Sequence, residues 1–380
     1  MITRINYNRG RRFLNPLEIE AQYITEDRAT NPDLLLWIDF TDASSLRSFS
    51  SGGSSAPSNG EAIMIAHNKS YETSSSNAGM ASAGEKALGK YAAQVTSSSK
   101  CPVFVDPGDG TPSYASFDGD QFLEITKQVG AAVNGSDLST TELDLNSFCM
   151  YFVCQRENPS VLTRQDVMFL TSNDFTVDTP NQHMAFCFDP NASYGAVLEM
   201  IDGNQVSGER SRYVKYNDGD DTNFHYHVFN AYEHFNNNSP DSRHVSLQAD
   251  GTHHQFGEYS HNPSLFPSPF YSKSGVPGGT VSGPSGLGKQ GGQDITLQFT
   301  SASSHHPSIT IGGQSRFGSA SSLHSKGTFK GKIYEVLIFK SEHAGPAIVD
   351  VLFFNKLFKR RWSNMYYYLQ RKYQYISVKI

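Results

Sequence analysis

Two carboxylates close to a tryptophan are the first residues in the sequence that could do chemistry. The stretch 34–42 reads LLLWIDFTD, with Asp39 two residues after Trp37 and Asp42 just beyond. A hydrolase site requires two carboxylates on the same face. Side chains alternate along a strand, so Trp37 and Asp39 share one face and Asp42 falls beyond the strand. The stretch therefore predicts a first strand. We expect Asp39 to bond into the following loop and Asp42 to start a turn.

An acidic loop is the best candidate for a metal site. Calcium requires several oxygen ligands that converge from one loop. The densest such run is 217–221, NDGDD, which offers Asp218, Asp220 and Asp221. Asp and Gly are also the residues that ordinary turns use. We expect no cofactor, and calcium at these three aspartates is the alternative.

Aromatic residues next to polar ones could recognise a sugar. A glycan site needs exposed rings beside Asp, Asn or Gln, and the candidates are Tyr213, Tyr216, Tyr232 and Tyr259. The alternative is that these rings pack beneath long loops, as most large aromatic side chains do. Glycan binding is therefore a secondary hypothesis for this chain.

Charge is strongly segregated along the chain. Residues 1–12 carry four arginines and 351–380 carry seven basic residues, and neither range contains an acid. All 37 acidic residues and the other 20 basic ones lie in 13–350, a net charge of −17. Basic ends on an acidic body can dock on acidic neighbours. Predicted docking residues are Arg4, Arg9, Arg11, Arg12, Arg360, Arg361, Tyr366, Tyr367, Tyr368, Tyr373 and Tyr375.

Other interpretations of the basic ends remain open. They could be two solvated tails with no partner. Interleaved basic and aromatic residues also occur in nucleic-acid-binding proteins. A Tyr-rich alternating tail that adds to a neighbour is an equally physical use of the same residues. We favour protein partners, including other copies of this chain, and do not expect nucleic acid.

The elements that must position these residues are strands. Aromatic residues make up 12% of the chain, charged residues 18%, and Gly is plentiful at 32. Strand-like runs bounded by turn residues predict strands; they lie at 101–105, 147–155, 183–188, 194–201, 223–232, 243–249, 294–300 and 329–340. In 147–155 both alternating faces are apolar, which predicts a strand covered on both sides. Asp250-Gly251 predicts a tight hairpin turn.

Three polar segments and one helix complete the predicted organisation. The Ser-, Ala- and Gly-rich segments 48–60, 73–100 and 272–293 predict long inserted loops. An apolar stripe after Gly345-Pro346 predicts a helix that ends near Trp362. The domains are then a basic N-terminal arm, 1–31, a sandwich domain, 32–362, and a basic, Tyr-rich tail, 363–380. The cysteines Cys101, Cys149, Cys154 and Cys187 show no metal-type spacing and predict buried free thiols.

The order of these landmarks resembles a known family. A Trp-x-Asp strand at 37–39 precedes a long loop, and PVF at 102–104 and FDGDQFL at 117–123 follow. The strand 148–155, the 250–251 turn, Ile311-Gly-Gly, and FKGKIYEVLIF at 329–339 with a helix after it complete the series. This order resembles the concanavalin A-like lectin/glucanase sandwich in the laminin-G-like form found in tailed-phage virion proteins. The resemblance implies an all-β fold, an antiparallel jelly-roll sandwich with long loop insertions and one C-terminal helix.

Hydrolases with the fold that the resemblance implies carry a Glu-x-Asp-x-x-Glu strand. The nearest match is Glu199-Met-Ile-Asp202, whose spacing puts the two acids on opposite strand faces, with no third acid after them. We therefore expect a protein that is not an enzyme.

The function that the sequence favours is a structural role in a phage virion. We expect a tail- or fibre-associated protein that docks on neighbours through its terminal arms and has host-glycan contact as a further property. The alternatives are a capsid decoration protein with the same fold and a carbohydrate-binding module or lectin acting alone. No run is long and apolar enough for a membrane span, and residues 1–12 lack the apolar core of a secretory signal. We expect synthesis in the host cytoplasm and localisation in the virion.

Overall fold

The computed structural model shows 23 strands in the residues that it describes. These are residues 34–72, 89, 91–94, 97–126, 142–144, 148–157, 164–171, 175–176, 179–180, 183–189, 194–201, 211–216, 224–233, 243–249, 252–258, 296–298, 308–318, 322–339, 368–369 and 371–373. The strands are β1 Leu34–Asp39, β2 Leu46–Ser48, β3 Ile63–His67, β4 Tyr91–Ala93, β5 Val103–Val105, β6 Tyr114–Asp118, β7 Leu123–Thr126, β8 Glu142–Asp144, β9 Phe148–Arg156, β10 Gln165–Thr171, β11 Phe175–Thr176, β12 Thr179–Pro180, β13 His183–Asp189, β14 Tyr194–Ile201, β15 Ser211–Tyr216, β16 Phe224–Glu233, β17 Arg243–Ala249, β18 Thr252–Glu258, β19 Thr296–Gln298, β20 Ser308–Ile311, β21 Gly313–Gly318, β22 Ser322–Gly327 and β23 Lys330–Phe339.

Helical structure in the described part of the chain is limited to short pieces. The α-helix α1 spans Lys69–Glu72, and 3₁₀ turns span Ala43–Ser45 and Ser98–Lys100. A helical turn also covers 368–369 and 371–372, where the Tyr373 amide donates to the Leu369 carbonyl at 3.0 Å. The helix predicted over 346–362 lies outside the described residues.

Two large antiparallel sheets form the body of the protein. Sheet A runs β18-β17-β16-β9-β23-β6-β5, with β1 also paired to β23. Sheet B runs β15-β14-β13-β10-β20-β7-β4-β3-β2. Three further two-stranded sheets are formed by β11-β12, β8-β19 and β21-β22. The chain is an all-β jelly-roll sandwich, so the predicted fold class is confirmed. β17 and β18 also pair as a hairpin, with Ala249 opposite Thr252 on either side of the predicted 250–251 turn.

The core lies between the two sheets because each sheet turns one apolar face inward. Residues on that face of sheet A include Met150, Phe152, Val336 and Ile338, all fully buried. A second apolar cluster covers the opposite face of sheet A and includes Tyr151, Val153 and Leu337. Alternate residues of β9 therefore enter two different cores. The prediction that this strand is covered on both sides is confirmed.

The first strand departs from simple alternation at its start. A register shift between Leu34 and Leu36 marks a β-bulge opposite β23. Leu35 consequently joins Leu36 in the core between the sheets, whereas Leu34 joins the outer cluster. An extra residue in one strand changes which face the residues before it occupy. From Leu36 onward the predicted alternation holds, with Trp37 on the outer face and Ile38 in the core.

The strand β23 joins distant parts of the chain in sheet A. On one side Gly331–Phe339 pair with β9. On the other side Lys330–Ile333 pair with β6 and Glu335–Phe339 pair with β1. Two short strands therefore lie end to end along one edge of β23. This arrangement brings Asp39 of β1 opposite Glu335 of β23.

The outer face of sheet B contains a half-buried acid. Glu124 of β7 lies opposite Thr310 of β20 and Ala93 of β4. Its neighbours Leu123 and Ile125 point into the core between the sheets. The Oε1 atom of Glu124 is buried with no hydrogen-bond partner in the described part of the chain. Burial raises the pKa of Glu124 to about 8, because it penalises the charged form.

The predicted Ile311-Gly-Gly turn contains a glycine at a position where a larger side chain would be strained. Gly312 has a φ of +81°, and a Cβ placed on it would overlap the Phe117 ring. We expect Gly312→Ala to lower the free energy of unfolding by about 2–3 kcal/mol, from left-handed strain and overpacking. Urea denaturation measures the change. Gly60→Ala is the matched control, because Gly60 has a φ of +86° with open space around its Cβ position. Equal losses for the two variants would contradict the packing argument.

Free, buried cysteines are present as predicted. Cys101, Cys154 and Cys187 are buried thiols without a disulfide. The side chain of Cys149 lies outside the described part of the structure. Burial raises the pKa of the Cys101 thiol to about 12, so this thiol stays protonated at neutral pH and packs as a small apolar group.

Candidate functional site

The candidate site is a set of buried charges on the outer face of sheet A. Asp39 and Glu335 lie opposite each other in the β1–β23 register, and both are fully buried. Lys372, from near the C-terminus, places its ammonium between them. Its Nζ lies 2.9 Å from Asp39 Oδ2 and 3.3 Å from Glu335 Oε2. One cation thus bridges two carboxylates that neighbouring strands bring together.

Glu335 receives three further hydrogen bonds from aromatic residues. The Trp37 indole Nε1 and the Tyr368 hydroxyl both donate to Oε1 at 2.5 Å. The Tyr373 hydroxyl donates to Oε2 at 2.7 Å. Lys372 also donates to the Tyr368 hydroxyl at 2.7 Å. Each carboxylate oxygen of Glu335 therefore has hydrogen-bond donors, as a buried charge requires.

Asp39 has a second cation and two local hydrogen bonds. Lys69 Nζ lies 3.0 Å from Asp39 Oδ2 and 3.1 Å from Asp42 Oδ2, so it links the two acids of the first stretch. The other oxygen of Asp39 accepts from the Thr41 amide at 3.0 Å and the Thr41 hydroxyl at 2.6 Å. Lys69 also lies 4.3 Å from the centre of the Trp37 ring, a cation–π contact.

A buried asparagine holds Lys69 in position. Asn68 Oδ1 accepts from the Trp37 amide at 2.8 Å and from the Ser70 amide at 3.1 Å. Its Nδ2 donates to the carbonyls of Leu35 and Gly89 at 3.2 and 2.7 Å. Asn68 therefore ties the start of α1 to β1. This tie places the next residue, Lys69, over the outer face of β1.

Burial and the two ammonium groups act in opposite directions on the acids. Burial alone would raise the pKa of Asp39, but Lys372, Lys69 and the Thr41 hydroxyl hold it well below its ordinary value. Burial dominates for Glu335 and raises its pKa, assisted by the nearby Asp39 and opposed by Lys372 and the two tyrosine hydroxyls. Asp39 is thus the buried anion that both Lys69 and Lys372 contact.

Aromatic packing surrounds the charges. The helical turn contributes Tyr368, Leu369 and Tyr373 to the outer cluster, where all three are fully buried. The Tyr373 ring meets the Tyr334 ring edge-on at 5.9 Å. Arg371, in the same turn, is exposed. We call residues 368–373 the C-terminal segment, and we call the surface formed by Trp37, Asp39 and Glu335 the socket.

The arrangement is suited to holding two parts of the chain together. A buried charge network is favourable only when every charge has a partner. Removing the segment would leave Asp39 and Glu335 with reduced neutralisation on an apolar surface. The segment would likewise carry Lys372, which is 1% exposed in its side chain, away from both acids. The socket and the segment are therefore complementary in charge.

The structure confirms the predicted geometry of the first stretch. Trp37 and Asp39 share the outer face, and Asp39 accepts from Thr41 in the loop that follows. Asp42 caps the 3₁₀ turn, where its side chain accepts from the Ser44 amide at 3.0 Å. The sequence predicted no link between the two acids, and Lys69 supplies one.

Two of the predicted docking tyrosines contact their own chain. Tyr368 and Tyr373 are buried, and both hydroxyls bind Glu335. Part of the stretch that was predicted to be a tail, 363–380, therefore packs on the sandwich. The other predicted docking residues lie outside the described part of the structure: Arg4, Arg9, Arg11, Arg12, Arg360, Arg361, Tyr366, Tyr367 and Tyr375.

The glycan-binding candidates are distributed over both sheets. Tyr213 and Tyr216 belong to β15, at the edge of sheet B, and Tyr232 belongs to β16 in sheet A. Tyr259 lies outside the described residues. Tyr213 pairs in register with Glu199, the acid of the hydrolase-like match, and Asp202 is outside the described part. A glycan site that uses these tyrosines remains a prediction.

The described part of the chain shows no cluster of metal ligands and no membrane-spanning helix. Among the described residues, no three His, Cys, Asp or Glu side chains come together in a way that could hold a metal. The calcium candidates Asp218, Asp220 and Asp221 are outside that part of the chain. None of the described helices is long and apolar enough to span a bilayer.

Sequence reasoning missed the partners of the socket. Lys69, Lys372 and Glu335 were not singled out, although Glu335 interrupts an apolar strand, KIYEVLIF. A charge in such a strand is rarely fully buried unless it is paired. That rule could have indicated a buried partner. The sequence distance to Lys372 and the lack of a local pattern around Lys69 left the identity of the partners open.

Comparison with known proteins gives only distant structural likenesses. No protein-family model matches the sequence. No curated protein matches it either. Among solved structures, the chain is similar to the CBM40 of the Ruminococcus gnavus IT-sialidase bound to alpha2,3 sialyllactose, with 10% identity and a TM-score of 0.36 over 63% of this chain and 95% of that one. It is also similar to Trypanosoma rangeli sialidase, with 9% identity and a TM-score of 0.36 over 89% and 33%. The LG1-3 region of the laminin alpha2 chain has 13% identity and a TM-score of 0.26 over 58% and 30%.

The fold and the site together define a class of protein. The topology of the two sheets is that of an all-β jelly-roll sandwich. On the outer face of sheet A, a buried ionic socket holds the C-terminal segment.

Proposed function

We propose that the protein is a non-catalytic structural protein of a phage virion. It sits on the tail or on a fibre and docks on neighbouring virion proteins and on copies of itself through its terminal regions. A capsid decoration protein with the same fold is the alternative. Synthesis in the host cytoplasm and localisation in the virion belong to the same proposal.

The observation that carries the proposal is an anchored, basic C-terminal region on an acidic body. The 351–380 stretch contains seven basic residues and no acid, whereas 13–350 has a net charge of −17. The C-terminal segment is fixed to sheet A by Lys372 and the two tyrosines. Arg360, Arg361 and Tyr375 therefore connect within a few residues to a fixed point on the sandwich. Anchored basic groups can meet an acidic neighbour at a defined position.

Anchoring also determines which truncation tests the proposal. Removal of 363–380 would delete Lys372 and unfold the outer cluster, so loss of assembly would have a trivial cause. Removal of 1–12 and 374–380, combined with Arg360→Ala and Arg361→Ala, takes away the basic docking residues at both ends and leaves every residue of the socket and the segment in place. We expect this shorter chain to keep the thermal midpoint of the full chain.

Particle incorporation is the decisive measurement. The full chain and the shorter chain are each supplied during infection by a phage that lacks the gene, and purified particles are analysed by quantitative mass spectrometry. We expect the full chain at fixed copy number and the shorter chain to be absent. Ser54→Ala, in the exposed loop between β2 and β3, is the control and should incorporate normally. Normal incorporation of the shorter chain would disprove terminal docking, and absence of the full chain would disprove the virion role.

Host-glycan contact is a further part of the proposal, and it comes from the lectin-like fold. The full chain would be applied to a glycan array, with and without calcium. Saturable binding that decreases in a variant with Tyr213 and Tyr216 both changed to Ala would support it. Absence of binding at all glycans would remove this part and leave the structural role in place.

A further inference from the structure

The C-terminal segment is recognised by its side chains rather than by continuity with the sandwich. Its contacts to the socket are the Lys372 ammonium on Asp39 and Glu335 and the two tyrosine hydroxyls on Glu335. The helical turn satisfies its own backbone bond from Tyr373 to Leu369. A second copy of the segment would meet every requirement of the socket equally well.

The chain between the socket and the segment is long. Residues 340–367, 28 in number, separate the end of β23 from Tyr368. With the predicted helix over 346–362 at about 1.5 Å per residue and the other 11 residues extended, that length spans about 60 Å. A globular domain of this size has a radius of gyration of about 20 Å. The contour length therefore allows the segment to reach the socket of an adjacent molecule.

Electrostatic attraction favours binding of a C-terminal segment to an empty socket. An empty socket exposes Asp39 and Glu335 on an acidic body. The released segment belongs to 351–380, which contains seven basic residues and no acidic ones. Exchange of segments between two copies restores each ion pair and hydroxyl bond, so no contact is lost overall. Exchange of identical elements is a low-cost route to a dimer for this reason.

We propose that the socket formed by Trp37, Asp39 and Glu335 accepts the C-terminal segment of a second copy of this chain, linking sandwiches by segment exchange. The proposal gives the self-docking in the proposed function a site and a partner. It rests on that function only for its biological setting. The segment contributes Tyr368, Lys372 and Tyr373, and the socket contributes the two acids and the indole.

Two full-length variants with opposite defects test the exchange. The socket variant carries Asp39→Asn and Glu335→Gln, which leaves Lys372 without a buried anion. The segment variant carries Lys372→Met, which leaves the two acids without their shared cation. In an exchanged pair the native lysine meets the native acids, and the introduced methionine meets the two introduced amides. Both sockets are then matched, whereas each variant alone is mismatched.

The experiment is coexpression of the two variants with different affinity tags, followed by sequential purification and light scattering. We expect a heterodimer of twice 41.9 kDa. The control is a triple variant that combines Asp39→Asn, Glu335→Gln and Lys372→Met in one chain, expressed with both tags, because its sockets are matched within each chain. The heterodimer yield should exceed the yield of mixed-tag dimer from this control by roughly tenfold or more, since a mismatched buried charge has at least this effect on an equilibrium. Folded variants that purify separately would overturn the proposal.

A second measurement covers the case in which the socket and segment variants do not fold. Two tagged forms of the unaltered chain are unfolded together in urea and refolded at high and at low concentration. We expect a mixed dimer whose share rises with concentration. Only monomers at every concentration would overturn the proposal. This result would leave particle incorporation untouched, because incorporation is measured separately.

Discussion

Replacing Lys372 with methionine is expected to lower the free energy of unfolding by about 3–5 kcal/mol at pH 7, the range for removal of one partner from a buried ion pair. The variant keeps the length and apolar stem of the side chain but removes the ammonium between Asp39 and Glu335. Lys69 still neutralises part of Asp39, and Glu335 keeps its three aromatic donors. Urea denaturation monitored by circular dichroism provides the measurement.

The control for this prediction is the same substitution at an exposed ion pair. Lys100 lies 3.6 Å from Asp120, and the two side chains are 43% and 71% exposed. Water screens such a pair, so Lys100→Met should change the unfolding free energy by less than about 1 kcal/mol. A loss at Lys372 no larger than the loss at Lys100 would show that the socket does not hold the segment in solution.

Replacing Glu124 with glutamine is expected to stabilise the protein at alkaline pH. The pKa of Glu124 is raised to about 8 by burial, against an ordinary value of 4.5. A carboxyl with a raised folded-state pKa binds its proton more tightly when folded. Its stabilising contribution is therefore complete below pH 4.5 and is lost as the pH rises through 8. Glutamine mimics the neutral acid at every pH and avoids that loss.

The magnitude follows from the size of the shift. Each pKa unit corresponds to about 1.4 kcal/mol, and partial exposure of the side chain reduces the full value, so we expect a gain on the order of 2–4 kcal/mol at about pH 9. At about pH 4.5 the variant and the parent should differ little. Urea denaturation of both proteins at the two pH values measures the difference, in which all other titrating groups cancel. A difference independent of pH would show that Glu124 is charged and solvated in the folded protein.

The sequence was sufficient to predict several of the longer strands of the sandwich. Runs such as 147–155 and 329–340 are apolar on alternating or on both faces, and the structure has β9 and β23 there. Turn residues marked the boundaries, as at Gly312, because few other residues adopt a positive φ. Short strands such as β2 and β4 have three residues each, too few for a periodic pattern to identify.

The socket could not be assembled from the sequence because its parts are far apart in the chain. Trp37 and Glu335 are separated by 298 positions, and Asp39 and Lys372 by 333. Local patterns place each residue on a strand face but do not determine which strands become neighbours. The bulge at Leu34–Leu36 is a similar case, since alternation continued back from Trp37 would place Leu35 on the outer face, whereas it lies in the core between the sheets. In both cases the pairing of β1 with β23 decides the outcome.

The pairing of β1 with β23 also has a consequence for synthesis on the ribosome. β1 is made early, but its hydrogen-bonding partner follows 298 residues later, counted from Trp37 to Glu335. At about 5–20 residues per second, translation takes on the order of 15–60 s to supply that partner. Throughout that interval the apolar stretch LLLWI has no strand to pair with and is a target for chaperones and for aggregation. Sheet A is therefore completed only after β23 has been made, and the closing of this long loop slows folding.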